Sequence, residues 1–260
     1  MSGNNTALIT GASSGIGLEL AKLHARQGGD LILVARSQDK LESLKQELEA
    51  EHAVKVTVIT QDLSQSDAAD RVFSQTQAMG LEVDILINNA GFGGHGLFNS
   101  RDLTAEKAMI QVNVAALTSL THLYLQGMVA RNRGRILNVS STASFMPGPL
   151  QAVYYATKAY VTSFSQAIAE EVAGNNVTVT ALCPGPVATG FVAAADLHGV
   201  AVFEQSKSAK SVAECGYKAM IRGELVAFNE TKLKFLLNWV VPFLPRKLVL
   251  KVSRKAMEKT

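Results

Sequence analysis

Tyr154 and Lys158 stand four residues apart in the run YYATKAY. On a helix that spacing puts both side chains on one face, within a few ångströms of each other. The pairing has a chemical use. A free tyrosine ionises near pH about 10, whereas an acid or base works best near neutrality with a matching pKa. A shift of about three units is needed, each about 1.4 kcal/mol. A unit charge at about 4 Å in an effective dielectric near 20 supplies roughly 4 kcal/mol. One neighbouring lysine nearly suffices, so the spacing predicts a tyrosine proton donor and acceptor whose pKa Lys158 brings down. Tyr155 is also at hand, but Ala159 follows it at the fourth position. Chance pairs of this kind sit exposed on ordinary helices, so the surrounding motifs decide.

Two glycine-rich stretches could receive phosphate groups. The first, GFGGHG at residues 91–96, is a literal G-x-G-x-x-G after the apolar run Ile85-Leu86-Ile87. Such a turn works only where strand, glycines and helix follow at once, so that free helix amides meet the pyrophosphate. Here LFNSRDL intervenes, and Thr104 is the expected helix start, its hydroxyl capping AEKAMIQVNVAAL. The second stretch, Thr10-Gly11-Ala12-Ser13-Ser14-Gly15-Ile16-Gly17, leads directly into the helical pattern Ile16-Gly17-Leu18-Glu19-Leu20-Ala21. Glycines there let the backbone approach phosphate oxygens, and the helix dipole supplies the positive end. No Lys-Ser or Lys-Thr pair follows, which argues against a nucleotide-hydrolysing P-loop.

TGASSGIG resembles the cofactor motif T-G-x-x-x-G-x-G of the short-chain dehydrogenase/reductase family, and further elements follow in order. Asp62-Leu63 matches its D-L, Asn88-Asn89-Ala90-Gly91 its N-N-A-G, and Asn113 its helix asparagine. Asn138-Val139-Ser140-Ser141 resembles the strand-end serine motif, thirteen residues before Tyr154 of the Y-x-x-x-K pattern. Pro184-Gly185-Pro186-Val187-Ala188-Thr189 resembles P-G-x-V-x-T. The resemblance spans residues 6 to about 190 and makes GFGGHG a decoy.

The resemblance implies reversible hydride transfer between a nicotinamide and a carbonyl or secondary alcohol carbon. Tyr154 would handle the proton, and Ser141 would stabilise negative charge developing on the substrate oxygen. Lys158 would also bind the nicotinamide ribose, and Asn113 would hold a proton-relaying water, unless it is a helix residue bonding only to backbone. Gly11, Ser13, Ser14, Gly15, Ile16 and Gly17 would hold the pyrophosphate, with Asp62, Leu63, Asn89, Ala90 and Gly91 toward the adenine and ribose. Pro184, Gly185, Val187 and Thr189 would border the nicotinamide. Asp62 is equally placed to cap the helix after Ser64, and Thr189 to cap a following helix. Cofactor choice depends on the end of LILVARS. Ala35 occupies the place of an acid that would accept the ribose hydroxyls of NAD, and Arg36 follows it, suited with Ser37 to the 2′-phosphate of NADP. NADP(H) is the expected cofactor. A non-catalytic dinucleotide-binding regulator is the alternative; a sugar-nucleotide epimerase or dehydratase would show a different glycine spacing and a longer substrate domain.

The elements needed to position these residues are legible. Apolar runs at 7–9, 31–35, 54–60, 85–87, 135–139, 177–182 and 225–228 are too continuous to alternate, as expected of parallel strands buried on both faces. Helical patterns at 15–27, 39–51, 67–79, 104–130, 152–172 and 210–222 lie between them. The prediction is a Rossmann-like doubly wound parallel α/β sheet with helices on both faces, in a single domain. Its ligands should lie beyond the carboxyl ends of the strands. In this reading residues 1–231 are the NADP-binding catalytic part, and 232–260 a basic, amphipathic extension of the same domain.

Composition agrees with one large core: 260 residues, 47% hydrophobic and 18% charged. Cys183 and Cys215 lack metal-ligand spacing and read as packing residues, and five scattered histidines give no metal motif, so no metal is expected. The polar start MSGNN leaves no room for a signal peptide, which points to the cytoplasm. No nucleic-acid motif is present. The helically spaced sets Thr118, Thr121, Tyr124 and Ala159, Ser163, Ala167 should pack in a core or a subunit contact, and the resemblance favours a homodimer or homotetramer. Phe145, Met146, Pro147 and Leu150, with Phe191, Val192, Leu197 and Phe203, offer apolar walls for a hydrophobic ketone, aldehyde or acyl chain, although half of them could simply pack their loops.

Charge is unevenly spread. Residues 232–260 carry eight Lys or Arg against Glu258 alone, a net +7, whereas residues 1–231 carry a net −4. FLLNWVVPFL is too short to span a bilayer. Two readings fit this segment: a cover over the substrate entrance or a subunit contact, and a peripheral contact with anionic lipid or an acidic carrier protein.

Overall fold

The structure, a computed structural model, describes residues 5–204 and 206–259. Strands and helices alternate: β1 (Ala7–Thr10), α1 (Gly15–Arg26), β2 (Leu31–Ala35), α2 (Gln38–Glu51), β3 (Val56–Thr60), α3 (Ala68–Ala78) and β4 (Ile85–Asn88). Then come α4 (Leu103–Ile110) and α5 (Leu117–Ala130), joined by a π-helical turn (Gln111–Ala116), β5 (Gly134–Val139), α6 (Ala152–Glu171) and β6 (Val177–Leu182). The remainder holds β7 (Val187–Ala188), α7 (Phe191–Ala194), β8 (Lys207–Ser208), α8 (Ala209–Arg222), β9 (Val226–Ala227), α9 (Thr231–Trp239) and α10 (Arg246–Ala256).

Seven strands form one parallel sheet in the order β3-β2-β1-β4-β5-β6-β9. The strand runs are apolar throughout because both faces are covered. Ala7, Ile9, Leu31 and Leu33 pack with Leu20, Leu41 and Val212 of α1, α2 and α8. Leu8, Ile32, Val34, Leu86 and Ile136 pack on the other face with Val72, Leu120 and Tyr124 of α3 and α5. The strand order reverses between β1 and β4, and the crevice opens there.

Some local expectations are corrected. The helix over 103–130 begins one residue before Thr104, and Asp102 caps it, its carboxylate accepting from the Thr104 amide at 3.0 Å. This run of 28 residues is long and apolar enough to cross a bilayer, yet Leu117, Leu120 and Met128 are buried against the protein's own core. Thr121 and Tyr124 point inward, Thr121 accepting from Asn88 and Tyr124 meeting Thr76, whereas Thr118 faces out and bonds Tyr160. Of the two helically spaced sets, Ala159, Ser163 and Ala167 remain exposed on α6. β3 starts at Val56 rather than Val54, and β9 shrinks to two residues.

The crevice is held by close backbone approach. A Cβ on Gly17 would lie 2.4 Å from both the Gly11 carbonyl oxygen and Asn89 Nδ2. Gly17→Ala should therefore lower unfolding free energy by about 2 kcal/mol or more. Gly174→Ala, where nothing lies within 4 Å of the added carbon, should change it by less than about 0.5 kcal/mol. Urea titration followed by circular dichroism compares the two, and equal effects would discount the packing argument.

Candidate active site

Thr10 ends β1, and its hydroxyl joins the two sides of the crevice. Its Oγ1 accepts from the amides of Asn89 and Ala90, both at 3.0 Å, while Asn89 Nδ2 donates back to the carbonyls of Thr10 (2.9 Å) and Gly11 (3.2 Å). Gly11 turns with φ +65°, and a Cβ there would lie 2.8 Å from Asn89 Nδ2. This glycine turn runs straight into α1, as the phosphate-binding geometry requires.

A single cavity of about 1200 Å³ begins at this turn and passes over the strand ends. Gly11, Ser13, Ser14 and Ile16 line its first part, with Arg36, Asp62 and Leu63 beside them. Asn89, Ala90 and Gly91 follow, then Ser141, Tyr154 and Lys158, then Pro184, Gly185, Val187 and Thr189. Three expected site residues stand behind the wall. Gly15 adjoins Thr189, Gly17 fills the contact already described, and Asn113 is buried. Both amide hydrogens of Asn113 are committed, to the Phe92 carbonyl (3.0 Å) and Thr157 Oγ1 (3.1 Å), while its Oδ1 accepts from the Phe92 amide. Asn113 thus positions the loop after β4 from inside the π-helical turn, and its side chain has no hydrogen left for a relay water. Thr189, one residue before the N-cap Gly190, accepts from the Phe191 amide at the start of α7, and Asp62 accepts from the Ser64 amide in a turn that ends before α3 begins.

The residues fit a dinucleotide. The turn leaves no room for a Cβ, and Arg36 lies exposed on the cavity edge with no ion pair among the described residues. A nicotinamide cofactor in this cavity would have its phosphates at Gly11–Ile16 and its reactive ring near Ser141 and Tyr154.

The model of short chain dehydrogenases matches residues 5–198. The chain belongs to that family. It is 32% identical over 253 residues to a very-long-chain 3-oxoacyl-CoA reductase of Macaca fascicularis, covering 95% of this chain and 78% of that protein. The human protein of the same name is 36% identical over 187 residues, which cover 70% of this chain but only 59% of the relative. A short-chain dehydrogenase from Sphingobium yanoikuyae, solved in complex with NADPH, superimposes with a TM-score of 0.83 at 31% identity, covering 88% of this chain and 89% of that one.

Within this short-chain dehydrogenase frame the two adjacent serines and the two adjacent tyrosines divide cleanly. Ser140 is buried and bonds inward, to the Lys158 carbonyl and Thr162, whereas Ser141 accepts from the Ala143 amide on the cavity wall beside Tyr154. Tyr155 packs with Val200 and Met257, so its ring lies against the C-terminal segment. Tyr154 sits between Tyr155 and Phe191, with ring centroids 6.2 and 5.3 Å away. Gly93 of the decoy motif is small for a packing reason: its Cβ would lie 2.8 Å from Phe191.

The electrostatics differ from the sequence expectation. Enclosure of Tyr154 raises its pKa above that of a free phenol, and the Ser141 hydroxyl only partly offsets this. Lys158 does not bring it down. The ammonium lies 5.8 Å from the Tyr154 ring centroid and donates to the Val139 carbonyl at 2.8 Å, and its own burial lowers its pKa to about 8.

The substrate walls also differ. Met146, Phe191 and Phe203 line the cavity as expected. Phe145 instead packs at a tilt against Phe228, Pro147 accepts from Ser253, and Leu150, Val192 and Leu197 pack with Val200 and Met257. The missing wall comes from α9, α10 and their connection: Leu233, Leu236, Val241, Leu244, Val249 and Val252. The signal was present. Val249, Val252, Ser253 and Ala256 recur at i, i+3, i+4 and i+7, one helical stripe.

Burial of a protonated lysine costs stability. Because the folded pKa of Lys158 is about 8, below that of the unfolded chain, the cost is full below pH 8 and disappears as pH rises to about 10.5. Lys158→Met should therefore stabilise the cofactor-free protein by about 1–3 kcal/mol at pH 7, with a gain that shrinks between pH 8 and 10.5. Thermal denaturation across that range tests it; a constant gain, or a loss at pH 7, contradicts the assignment.

Proposed function

We propose that this chain is an NADP(H)-dependent oxidoreductase that interconverts a carbonyl and a secondary alcohol on a hydrophobic ketone, aldehyde or 3-oxoacyl substrate. The observation that carries the proposal is continuity. One cavity links the glycine turn and Arg36 to Ser141, Tyr154 and Lys158, and then to the apolar walls from α9 and α10. The NADPH complex of the Sphingobium relative supports the cofactor, and the 3-oxoacyl-CoA reductases named above support an acyl-type substrate.

When bound, the nicotinamide supplies or accepts the hydride at the carbinol carbon. In the reductive direction negative charge grows on the substrate oxygen. The Ser141 hydroxyl donates to that oxygen, and the contact strengthens as the charge develops. Tyr154, neutral because enclosure raises its pKa, is already the proton donor that reduction needs. Lys158 has two ammonium hydrogens beyond the one held by Val139, enough to hold a ribose hydroxyl beside Tyr154. Oxidation requires Tyr154 to lose its proton, and there the nearby ammonium is most useful. Ser141, Tyr154 and Lys158 in one cavity favour turnover over a regulator that only binds dinucleotide.

Two substitutions test the reading. Tyr154→Phe should bind NADPH within about twofold of the parent, by fluorescence titration, and lose about 10²- to 10⁴-fold in turnover; undiminished turnover would remove Tyr154 from the chemistry. Arg36→Ala should weaken NADPH binding about ten- to a hundredfold and leave NADH nearly unchanged, since one charge-assisted phosphate contact is lost. Equal losses for both cofactors would remove the 2′-phosphate assignment.

A further inference from the structure

We propose that the surface formed by α9, the Val241–Phe243 turn and α10 docks on an anionic lipid bilayer. On α9, Phe235 and Trp239 share a face and are 63% and 68% exposed, and Phe243 in the turn is 78% exposed. On α10, Leu248, Lys251 and Lys255 face outward, Val249 and Ser253 face the protein, and Val252, 60% exposed, stands at the border between this face and the cavity. Single exposed apolar side chains are ordinary, but several grouped on adjoining elements mark an interaction surface.

Charge decides the occupant. Of the eight bases in residues 232–260, Arg254 pairs with Glu258 and Lys259 with Asp196. The other six, Lys232, Lys234, Arg246, Lys247, Lys251 and Lys255, are exposed and make no ion pair among the described residues. A two-fold contact with a second copy would bring two such clusters together, and like charges oppose it. Exposed aromatics and lysines on short interrupted helices match an interfacial element, one that lies at the headgroup level without crossing.

The same elements open inward. Leu236 and Val252 are exposed and also line the cavity, so they form its rim. An apolar substrate dissolved in the bilayer would meet the cavity mouth at this surface. That route rests on the reading of the cavity as an apolar substrate site; the docking does not.

Trp239 is the only tryptophan in the chain, so its emission reports on this surface alone. Full-length protein at low salt is mixed with phosphatidylserine/phosphatidylcholine vesicles, with phosphatidylcholine vesicles, or with a soluble acidic protein and no lipid. The expected result is a blue shift and co-sedimentation with the anionic vesicles, reduced about tenfold or more by about 0.5 M salt, where the screening length is only a few ångströms. Phe235→Ser with Phe243→Ser, and separately Lys247→Glu with Lys251→Glu, should each weaken vesicle binding about tenfold. NADPH binding should be unchanged in both, because none of these residues lines the cavity. An unshifted Trp239 in a protein that stays in the supernatant overturns the proposal. So does an equal shift with the acidic protein, or one that follows protein concentration without lipid. None of these readouts depends on turnover, so a failed carbonyl assay leaves the docking result intact.

Discussion

The bonds between Thr10 and Asn89 are the constraint on which the rest depends. In a doubly wound sheet, the strands on either side of the order reversal send their helices to opposite faces, so their carboxyl ends diverge and leave a crevice. Here β1 and β4 pair as far as Ile9 and Ile87, and the segments that follow would be free to splay. Instead the Thr10 hydroxyl holds two amides of the β4 loop, and the Asn89 amide holds two carbonyls of the β1 turn. The glycine turn is thereby fixed against the loop that carries Ala90 and Gly91, before any ligand contributes. Preorganised backbone of this kind lowers the ordering cost of binding phosphate.

The second half of the site is fixed by burial. Lys158 reaches the Val139 carbonyl at the end of β5, and Ser140 reaches back to the Lys158 carbonyl, so strand end and helix α6 are joined twice within a few residues. This brings Ser141 and Tyr154 to the same part of the cavity. It also encloses two ionisable groups. The folded protein carries a tyrosine that holds its proton and a lysine that holds its proton poorly. Both shifts have the same cause, removal of the charged form from water.

Much of this was legible in the sequence because it rests on local rules. The continuous apolar runs of β1, β2 and β4 required two covered faces, and the glycine turn identified itself by leading directly into α1. Ser141, Tyr154 and Lys158 line one cavity, as the helical spacing of the last two and the family resemblance of the first implied. The rest depends on contacts between distant segments. Spacing put Lys158 beside Tyr154 but did not show that Val139 would claim one of its hydrogens, nor that enclosure would dominate the phenol. The committed hydrogens of Asn113 depend on Phe92 and on Thr157, forty-four residues away. The apolar wall is completed by α9 and α10, where the lining residues Leu233, Leu236, Val249 and Val252 are interleaved with lysines, so that charge masks the apolar stripe.

The cavity is assembled from two stretches of chain with different histories open to them. The glycine turn, Ser141, Tyr154, Lys158 and six of the seven sheet strands lie within residues 5–198, where the family model matches, whereas β9, α9 and α10 lie beyond it. The distal stretch is attached at a few points: Ser253 on Pro147, His95 on the Met257 carbonyl, and Lys259 on Asp196 with a short bridge to Val200. A lineage can therefore rewrite Leu233, Leu236, Val241 or Val252 and leave the reacting groups where they are.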